Sequence, residues 1–175
     1  MSTRGAPVGF EWVFEEDVDV IGPMALRVYI KVSGGDDAVL FAGIRKFRGR
    51  RELTFEGSYG FAYDMVTKGW QRVAHRDLDQ GLSTPEQPVH SHVRAEPLLP
   101  GEIVPVEIAL LPQATRFLKG DRLRLELRGT WHYPRDPFRG QFPAFYPPSP
   151  RAICTVHCGG NYDSRLLFGY RPATQ

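Results

Sequence analysis

Apolar and polar residues alternate with a period of two over several short segments of the chain. This spacing is typical of a β-strand with one buried face, because successive side chains of a strand point to opposite sides. It recurs far more often than the spacing of a helix, so we predict antiparallel strands, each with one dry and one wet face. The clearest segments are FEWVFEE (10–16, with Phe10, Trp12 and Phe14 on one face), MALRVYIKV (24–32), IVPVEIAL (103–110) and RLRLELR (122–128).

Glycine and proline separate these segments, and the chain holds 18 Gly and 15 Pro. Such a content leaves little room for long helices, and we expect short helical turns at most, at 114–118 and within 76–82. Many short strands with frequent turns predict an all-β fold, a β-sandwich of two antiparallel sheets with long loops. A jelly roll is among the main candidates. The 175 residues suit a single domain, residues 1–175, with a core from about 10 to 170.

Two segments lack sustained alternation and are predicted to be long loops, 75–100 and 131–150. The second combines six aromatic residues with six prolines, too many prolines for a central strand. An exposed loop of this kind favours docking against another surface. The alternative is that the loop folds back over the sandwich. The candidate interface residues are Trp70, Trp131, Tyr133, Phe142 and Tyr146.

The charge of the chain indicates no particular partner class. The formal net charge is +2, and the one basic run, RKFRGRR at 45–51, fits a solvated hairpin turn. We expect neither a nucleic-acid nor a membrane partner. No apolar run reaches the ~20 residues of a membrane span, and the first ten residues lack a signal-peptide pattern. The expectation is a soluble, non-secreted, cytoplasmic protein.

Both cysteines lie in the segment RAICTVHCGGNYD, residues 151–163. On a strand, Cys154 and Cys158 would share one face about 13 Å apart, too far for a disulfide or a shared zinc ion, while His157 faces the other way. We therefore expect reduced, largely buried thiols without metal. The GGNYD turn that follows predicts a hairpin with the next strand.

No catalytic or metal-binding constellation emerges from the residues. A nucleophile elbow requires G-x-S-x-G, but the nearest segment, EGSYG around Ser58, has the wrong spacing. His90 and His92 would project to opposite sides of an extended chain, so we expect no metal and no cofactor there. The carboxylates are dispersed, and no catalytic residue can be named.

A resemblance to a known family rests on five segments taken in order: VIGPMALRVYIKV, GWQRVAHRDLD, STPEQPVHSH, LLPGEIVPVEIALLPQATRFLKGDRLRLELRG and VHCGGNYDSRLL. Together they closely resemble the C-terminal domain of the cocaine esterase (CocE/NonD) and Xaa-Pro dipeptidyl-peptidase family of serine hydrolases. The resemblance runs from about Phe10 to Tyr170. It implies a jelly-roll, galactose-binding-like domain, which follows an α/β-hydrolase domain bearing the catalytic triad and a helical cap.

The resemblance implies a non-catalytic module, because the triad of these hydrolases lies outside the matching part. Its implied role is to pack on the α/β-hydrolase domain and support the active-site region. The implied partner is that domain, a separate hydrolase subunit or a second copy of the chain. A stand-alone carbohydrate- or protein-binding module is the alternative, and independent enzymatic activity stays open.

Overall fold

The computed structural model describes residues 7–56, 63–133 and 151–173. These residues form β-strands joined by loops, with a turn of 3-10 helix at Val73–His75 and no α-helix among them. The strands are β1 (Val8–Val13), β2 (Val18–Ser33), β3 (Val39–Arg48), β4 (Arg51–Leu53), β5 (Phe55–Glu56), β6 (Tyr63–Asp64), β7 (Thr67–Arg72), β8 (Ile103–Phe117), β9 (Asp121–Arg128), β10 (Ile153–His157) and β11 (Arg165–Pro172).

Two antiparallel sheets make up the sandwich, as the alternation predicted. Sheet A has the order β1-β9-β3, and the far edge of β3 pairs with β7 and then with β4. Sheet B is built around β2, which pairs with β8 along one edge and with β10 and β11 along the other. The β5–β6 pair is a small separate ribbon. The chain passes repeatedly between the sheets, which is typical of a jelly roll.

The core lies between the inner faces of the two sheets. Sheet A contributes alternate residues of β3 and β9, and sheet B contributes those of β2 and β8. At one end of the core the rings of Phe14 and Phe117 pack with centroids 4.7 Å apart. The sequence pattern therefore identified the inner faces of β2, β8 and β9 correctly.

Strand β1 departs from the predicted pattern, since all six of its residues are exposed. Phe14, just beyond the strand, is 6% exposed and belongs to the core, but Phe10 and Trp12 are 43% and 64% exposed. The expectation that these three side chains share one buried face is wrong for two of them. The reason is tertiary, because β1 lies at the edge of sheet A.

The predicted crossing loop is confirmed, since residues 76–102 contain no strand and connect sheet A to sheet B. The Asp37 carboxylate holds the start of the loop by accepting a 2.8 Å hydrogen bond from the Ala74 amide. The helical turn expected at 114–118 is wrong, since residues 114–117 belong to β8, where Phe117 is fully buried. Within 76–82 the chain makes one short turn, in which the Ser83 amide donates a 2.9 Å hydrogen bond to the Asp79 carbonyl.

The expected hairpin between β10 and β11 is also wrong. Both strands pair with β2, β10 opposite Tyr29–Ser33 and β11 opposite Val18–Arg27. Since β8 occupies the other edge of β2, β10 and β11 lie end to end along one edge. The glycine-rich turn between them bulges out of a nearly continuous strand instead of reversing it.

The β7 and β8 edges of the two sheets touch at Gly69, which closes that side of the sandwich. A Cβ atom at Gly69 would lie 2.1 Å from the carbonyl oxygen of Ala109. Beside this contact, the Thr67 hydroxyl donates a 2.6 Å hydrogen bond to the Leu111 carbonyl. Only glycine lets the two backbones approach this closely.

Replacing Gly69 by Ala is expected to lower the free energy of unfolding by about 1–3 kcal/mol, because the added methyl group overlaps backbone that cannot rotate away. The matched control is Gly129→Ala, whose Cβ meets no atom within 4 Å. Its effect should stay within about 0.5 kcal/mol. Urea unfolding measures the free energy of unfolding of both variants. Equal values would contradict a close contact between the β7 and β8 backbones at Gly69.

Candidate functional site

The structure brings together the three predicted interface residues that it describes. The rings of Trp70 and Tyr133 lie 6.0 Å and 6.4 Å from the ring of Trp131, which also packs on Phe41 at 5.7 Å. Together with Val39 they form a second hydrophobic cluster on the outer face of sheet A. We call these five residues the aromatic cluster.

The sheet itself positions the aromatic cluster. Phe41 of β3 pairs in register with Trp70 of β7, so both side chains stand on the same outer face. The chain leaves β9 after Arg128 and places Trp131 over them. Phe142 and Tyr146, the other two predicted interface residues, lie outside the described residues.

Burial divides the cluster into two kinds of side chain. Trp131 is 3% exposed, whereas Trp70 and Tyr133 are half-buried. The Lys68 ammonium lies 5.7 Å from the centre of the Trp131 ring and 6.0 Å from that of Tyr133, so it covers part of both rings. Trp131 therefore holds the cluster together, and only Trp70 and Tyr133 retain surface for another molecule. The interface role expected of Trp70, Trp131, Tyr133, Phe142 and Tyr146 stays a prediction.

A buried histidine follows the cluster in sequence. The His132 side chain has no exposed surface and lies on Gly43 of β3, where a Cβ would come within 2.8 Å of the ring. Neither ring nitrogen has a hydrogen-bond partner within the described ranges. Its nearest acidic group is Glu126, with 3.6 Å between Nδ1 and Oε2, which is longer than a hydrogen bond.

The electrostatics of this site favour one protonation state. Burial lowers the pKa of His132, because an imidazolium loses its hydration there, and this outweighs the attraction of Glu126. His132, Arg128 and Arg45 hold the pKa of Glu126 well below its usual range, Arg45 through a 2.9 Å hydrogen bond from Nε. The site thus combines a neutral imidazole with an ionised carboxylate.

This pair lacks the parts of a catalytic site. An imidazole beside a carboxylate can orient a base, but nucleophilic catalysis also requires a hydroxyl or thiol within hydrogen-bond distance of the imidazole. Neither nitrogen of His132 makes such a contact among the residues described. The arrangement is a buried charge cluster beside residues 131–133, and its Arg45 guanidinium lies 5.9 Å from the centre of the Tyr133 ring. Sequence reasoning missed it, although Glu126 between apolar neighbours of β9 was a possible signal.

An open cleft of about 480 Å³ lies beside Trp70, on the closed side of the sandwich. Its charged groups are already engaged within the chain, since Lys68 pairs with Asp64 and Arg72 pairs with Asp37. The cleft is lined by Val39, Lys68, Gly69, Trp70, Gln71, Arg72, His75, His92, Ala109 and Leu111. It presents the half-exposed Trp70 ring beside both polar groups and apolar side chains such as Leu111, and its apolar surface is the larger.

The histidines of the crossing loop lie closer together than predicted. The ring of His92 is 6.0 Å from that of His90 and 5.8 Å from that of His75. The expectation that His90 and His92 project apart is wrong, because His92 has a positive φ of 51° and the chain is not extended there. His90 is fixed by a 3.0 Å hydrogen bond between its Nε2 and the Glu107 carbonyl. No cluster of three metal-ligating side chains occurs in the described part of the chain.

The two cysteines differ from each other in burial. Cys154 packs against the core from β10, and burial raises its pKa to about 11. Cys158 lies after the end of β10 and is exposed, so the expectation of two buried thiols is wrong for this residue. Both thiols are free. Ser58, in the segment closest to a nucleophile elbow, lies outside the described residues.

A family model described as the X-Pro dipeptidyl-peptidase C-terminal non-catalytic domain matches residues 7–167. Among solved structures, a CocE/NonD family hydrolase from Staphylococcus aureus is 34% identical, with a TM-score of 0.84. The match covers 93% of this chain and 30% of the hydrolase. The chain therefore spans about a third of the length of this relative. A search of curated proteins finds no match.

More distant structures share the fold. An aminopeptidase from a marine sediment Thaumarchaeota archaeon is 19% identical with a TM-score of 0.61, covering 97% of this chain and 26% of the aminopeptidase. An α-amino acid ester hydrolase is 14% identical with a TM-score of 0.60, and the match covers 94% of this chain and 25% of that hydrolase.

None of the described residues forms a helix long and apolar enough to cross a membrane.

Replacing Trp131 by Ala is expected to lower the free energy of unfolding by about 3–5 kcal/mol, because the indole fills the centre of the aromatic cluster. The matched control is Trp12→Ala, at a position 64% exposed, with an expected change within about 0.5 kcal/mol. Urea denaturation of each variant gives the values. A small effect at Trp131 would show that its ring is not part of the packed structure.

The protein is expected to lose stability as the pH falls below about 6.5, the ordinary pKa of histidine. The folded chain keeps His132 neutral, so the unfolded chain binds more protons in that range and is stabilised relative to the folded chain. His90, whose pKa burial also lowers, acts in the same direction. The loss between about pH 7.5 and about pH 5.5, measured by urea unfolding, should be smaller in His132→Gln. An identical loss in the variant would argue against a buried neutral imidazole.

Proposed function

The chain belongs to the X-Pro dipeptidyl-peptidase C-terminal non-catalytic domain family, and we propose that it packs on an α/β-hydrolase domain or subunit and supports its active-site region. The observation that carries this proposal is the match to a domain family described as non-catalytic over residues 7–167. The CocE/NonD hydrolase that this chain matches at 34% identity extends well beyond the matched part. Residues 1–175 are then one accessory domain, with its core between about 10 and 170.

The chemistry of the described residues supports an accessory role. His132 and Glu126 are the pair of side chains that most resembles catalytic machinery, and both are buried with no nucleophile in contact among the described residues. A rigid sandwich with a buried charge cluster can instead hold a surface in a fixed shape. Interfaces between domains of one protein commonly bury 600–1,500 Å², an area that one face of such a sandwich can supply.

The alternative is a stand-alone module that binds carbohydrate or protein. The observation that favours it is the open cleft of about 480 Å³ beside Trp70. A half-exposed indole in an open cleft offers a sugar ring a stacking surface. Glycans retained by the chain on an array and lost in Trp70→Ala would support this alternative.

The purified chain is expected to be inert toward aryl esters and Xaa-Pro substrates, because no activated nucleophile can be assembled from its sequence. Esterase and dipeptidyl-peptidase assays measure this directly. Turnover that survives repurification and scales with protein concentration would contradict the accessory role.

The packing itself is tested with the catalytic portion of the Staphylococcus aureus hydrolase, expressed separately and checked for folding by circular dichroism. Addition of the chain should raise the melting temperature of that portion, since a partner that binds only the folded state stabilises it. An unchanged melting temperature at saturating chain would count against packing on a hydrolase domain.

A further inference from the structure

The two lateral sides of the sandwich are built differently. On one side β7 and β8 touch through Gly69, and the sheets close on each other. On the other side a groove of about 300 Å³ separates β1, the edge of sheet A, from β11, the edge of sheet B. We call it the β1–β11 groove. Its walls include Phe10 and Trp12 on one side and Leu166 and Phe168 on the other.

The groove exists because sheet B leaves the last strand of sheet A uncovered. In the antiparallel pair of β1 and β9, Phe10 lies opposite Leu125 and Trp12 lies opposite Leu123. Directly opposed residues share one face of a sheet, so Phe10 and Trp12 extend the inner, core-facing surface of sheet A.

Burial changes sharply between these two neighbouring strands. Leu123 and Leu125 are 3% and 6% exposed, but Trp12 and Phe10 are 64% and 43% exposed. A core-facing apolar surface thus continues for one strand beyond the edge of the described core.

The surface of the groove is mainly apolar. Beside it, Tyr170 of β11 is 63% exposed and lies near Trp12 and Phe168. The nearest charge on β1, Glu11, is already paired, with Arg122 at 2.9 Å and Arg124 at 3.7 Å. Exposed apolar patches of this kind mark interaction sites more often than solvent surface.

The position of β1 in the chain indicates what covers the groove. The family match begins at residue 7, and β1 begins at Val8, so β1 is the first strand of the domain. The family is described as a C-terminal domain, and its 34% identical hydrolase has about 70% of its length outside the matched part. In such a protein the chain that comes from the catalytic part reaches this domain at β1, beside the groove.

We propose that the β1–β11 groove is the surface through which the domain packs on the catalytic α/β-hydrolase part, with Phe10 and Trp12 as the apolar anchors. This inference rests on the proposed function and adds the surface that carries it. It assigns the main contact to the open side of the sandwich, and not to the aromatic cluster on the outer face of sheet A.

The test measures binding of the 175-residue chain to the separately expressed catalytic portion of the Staphylococcus aureus hydrolase by isothermal titration calorimetry. Trp12→Ala is expected to weaken binding at least about tenfold, as loss of a central aromatic anchor does. The matched control, Tyr63→Ala, removes another exposed aromatic side chain, 64% exposed in β6, and should leave affinity within about twofold. Trp70→Ala tests the competing contact on the outer face of sheet A. Circular dichroism confirms that the variants are folded.

Amide hydrogen exchange gives a second readout that needs no variant. Binding should slow exchange at residues 8–13 and 165–172, and leave residues 67–72 of β7 unchanged. Protection confined to β7 would overturn the proposal, as would binding that resists Trp12→Ala.

The remaining outcomes separate the groove from the proposed function. Binding that is lost in Trp70→Ala and kept in Trp12→Ala would overturn the groove and keep the accessory role. No binding by the unmodified chain would count against both. A second copy of the chain is the other molecule that could fill the groove, and sedimentation of the chain alone, from about 1 to about 100 µM, tests for it. A dimer that Trp12→Ala dissociates would assign the groove to that second copy and overturn the hydrolase contact.

Discussion

The position of β9 in the middle of sheet A is the constraint on which the rest of the molecule depends. Its inner face carries Leu123, Leu125 and Leu127, each less than 7% exposed, and these pack against sheet B. Its two edges pair with β1 and β3, so its register sets which side chains of both neighbours face inward. A slip of one residue would move the leucines to the outer face, and the core would be lost.

The outer face of β9 and its first residue, Asp121, carry the buried ionic contacts of the strand. Glu126 takes a hydrogen bond from Arg45 and lies beside buried His132. At the start of the strand, Asp121 is 1% exposed and pairs with Arg48 at 2.8 Å and Lys46 at 3.3 Å. Burial alone would raise the pKa of Asp121, but Arg48, the Leu118 amide and Lys46 together lower it to about 2. These buried charges are compensated, so they stabilise a fixed geometry and are not available for chemistry.

The difference between the two lateral sides of the sandwich links the fold to an accessory role. The β7–β8 side is closed by backbone contact, and the aromatic cluster above it uses Trp131 for its own packing. The β1–β11 side leaves core-facing aromatic rings without cover from the described residues. A domain that completes its core against a neighbour would have this asymmetry, because an isolated sandwich gains stability by covering both edges.

The core strands β2, β8 and β9, the sandwich and the crossing loop were predictable from the sequence, because alternation with a period of two directly reports which face is buried. The absence of a nucleophile elbow and the family resemblance were readable from residue order alone. Burial along β1 was not: Phe10 and Trp12 alternate like core residues, and only the extent of sheet B decides that they are exposed. The end-to-end placement of β10 and β11 was also hidden, since a glycine-rich turn looks the same whether the strand reverses or continues beside β2. The direction of the His92 side chain depends on its own backbone conformation, and the burial of His132 depends on Gly43 in a neighbouring strand. Sequence periodicity reports neither. Sequence periodicity thus determined which faces are apolar, and the tertiary structure decided which of them are covered.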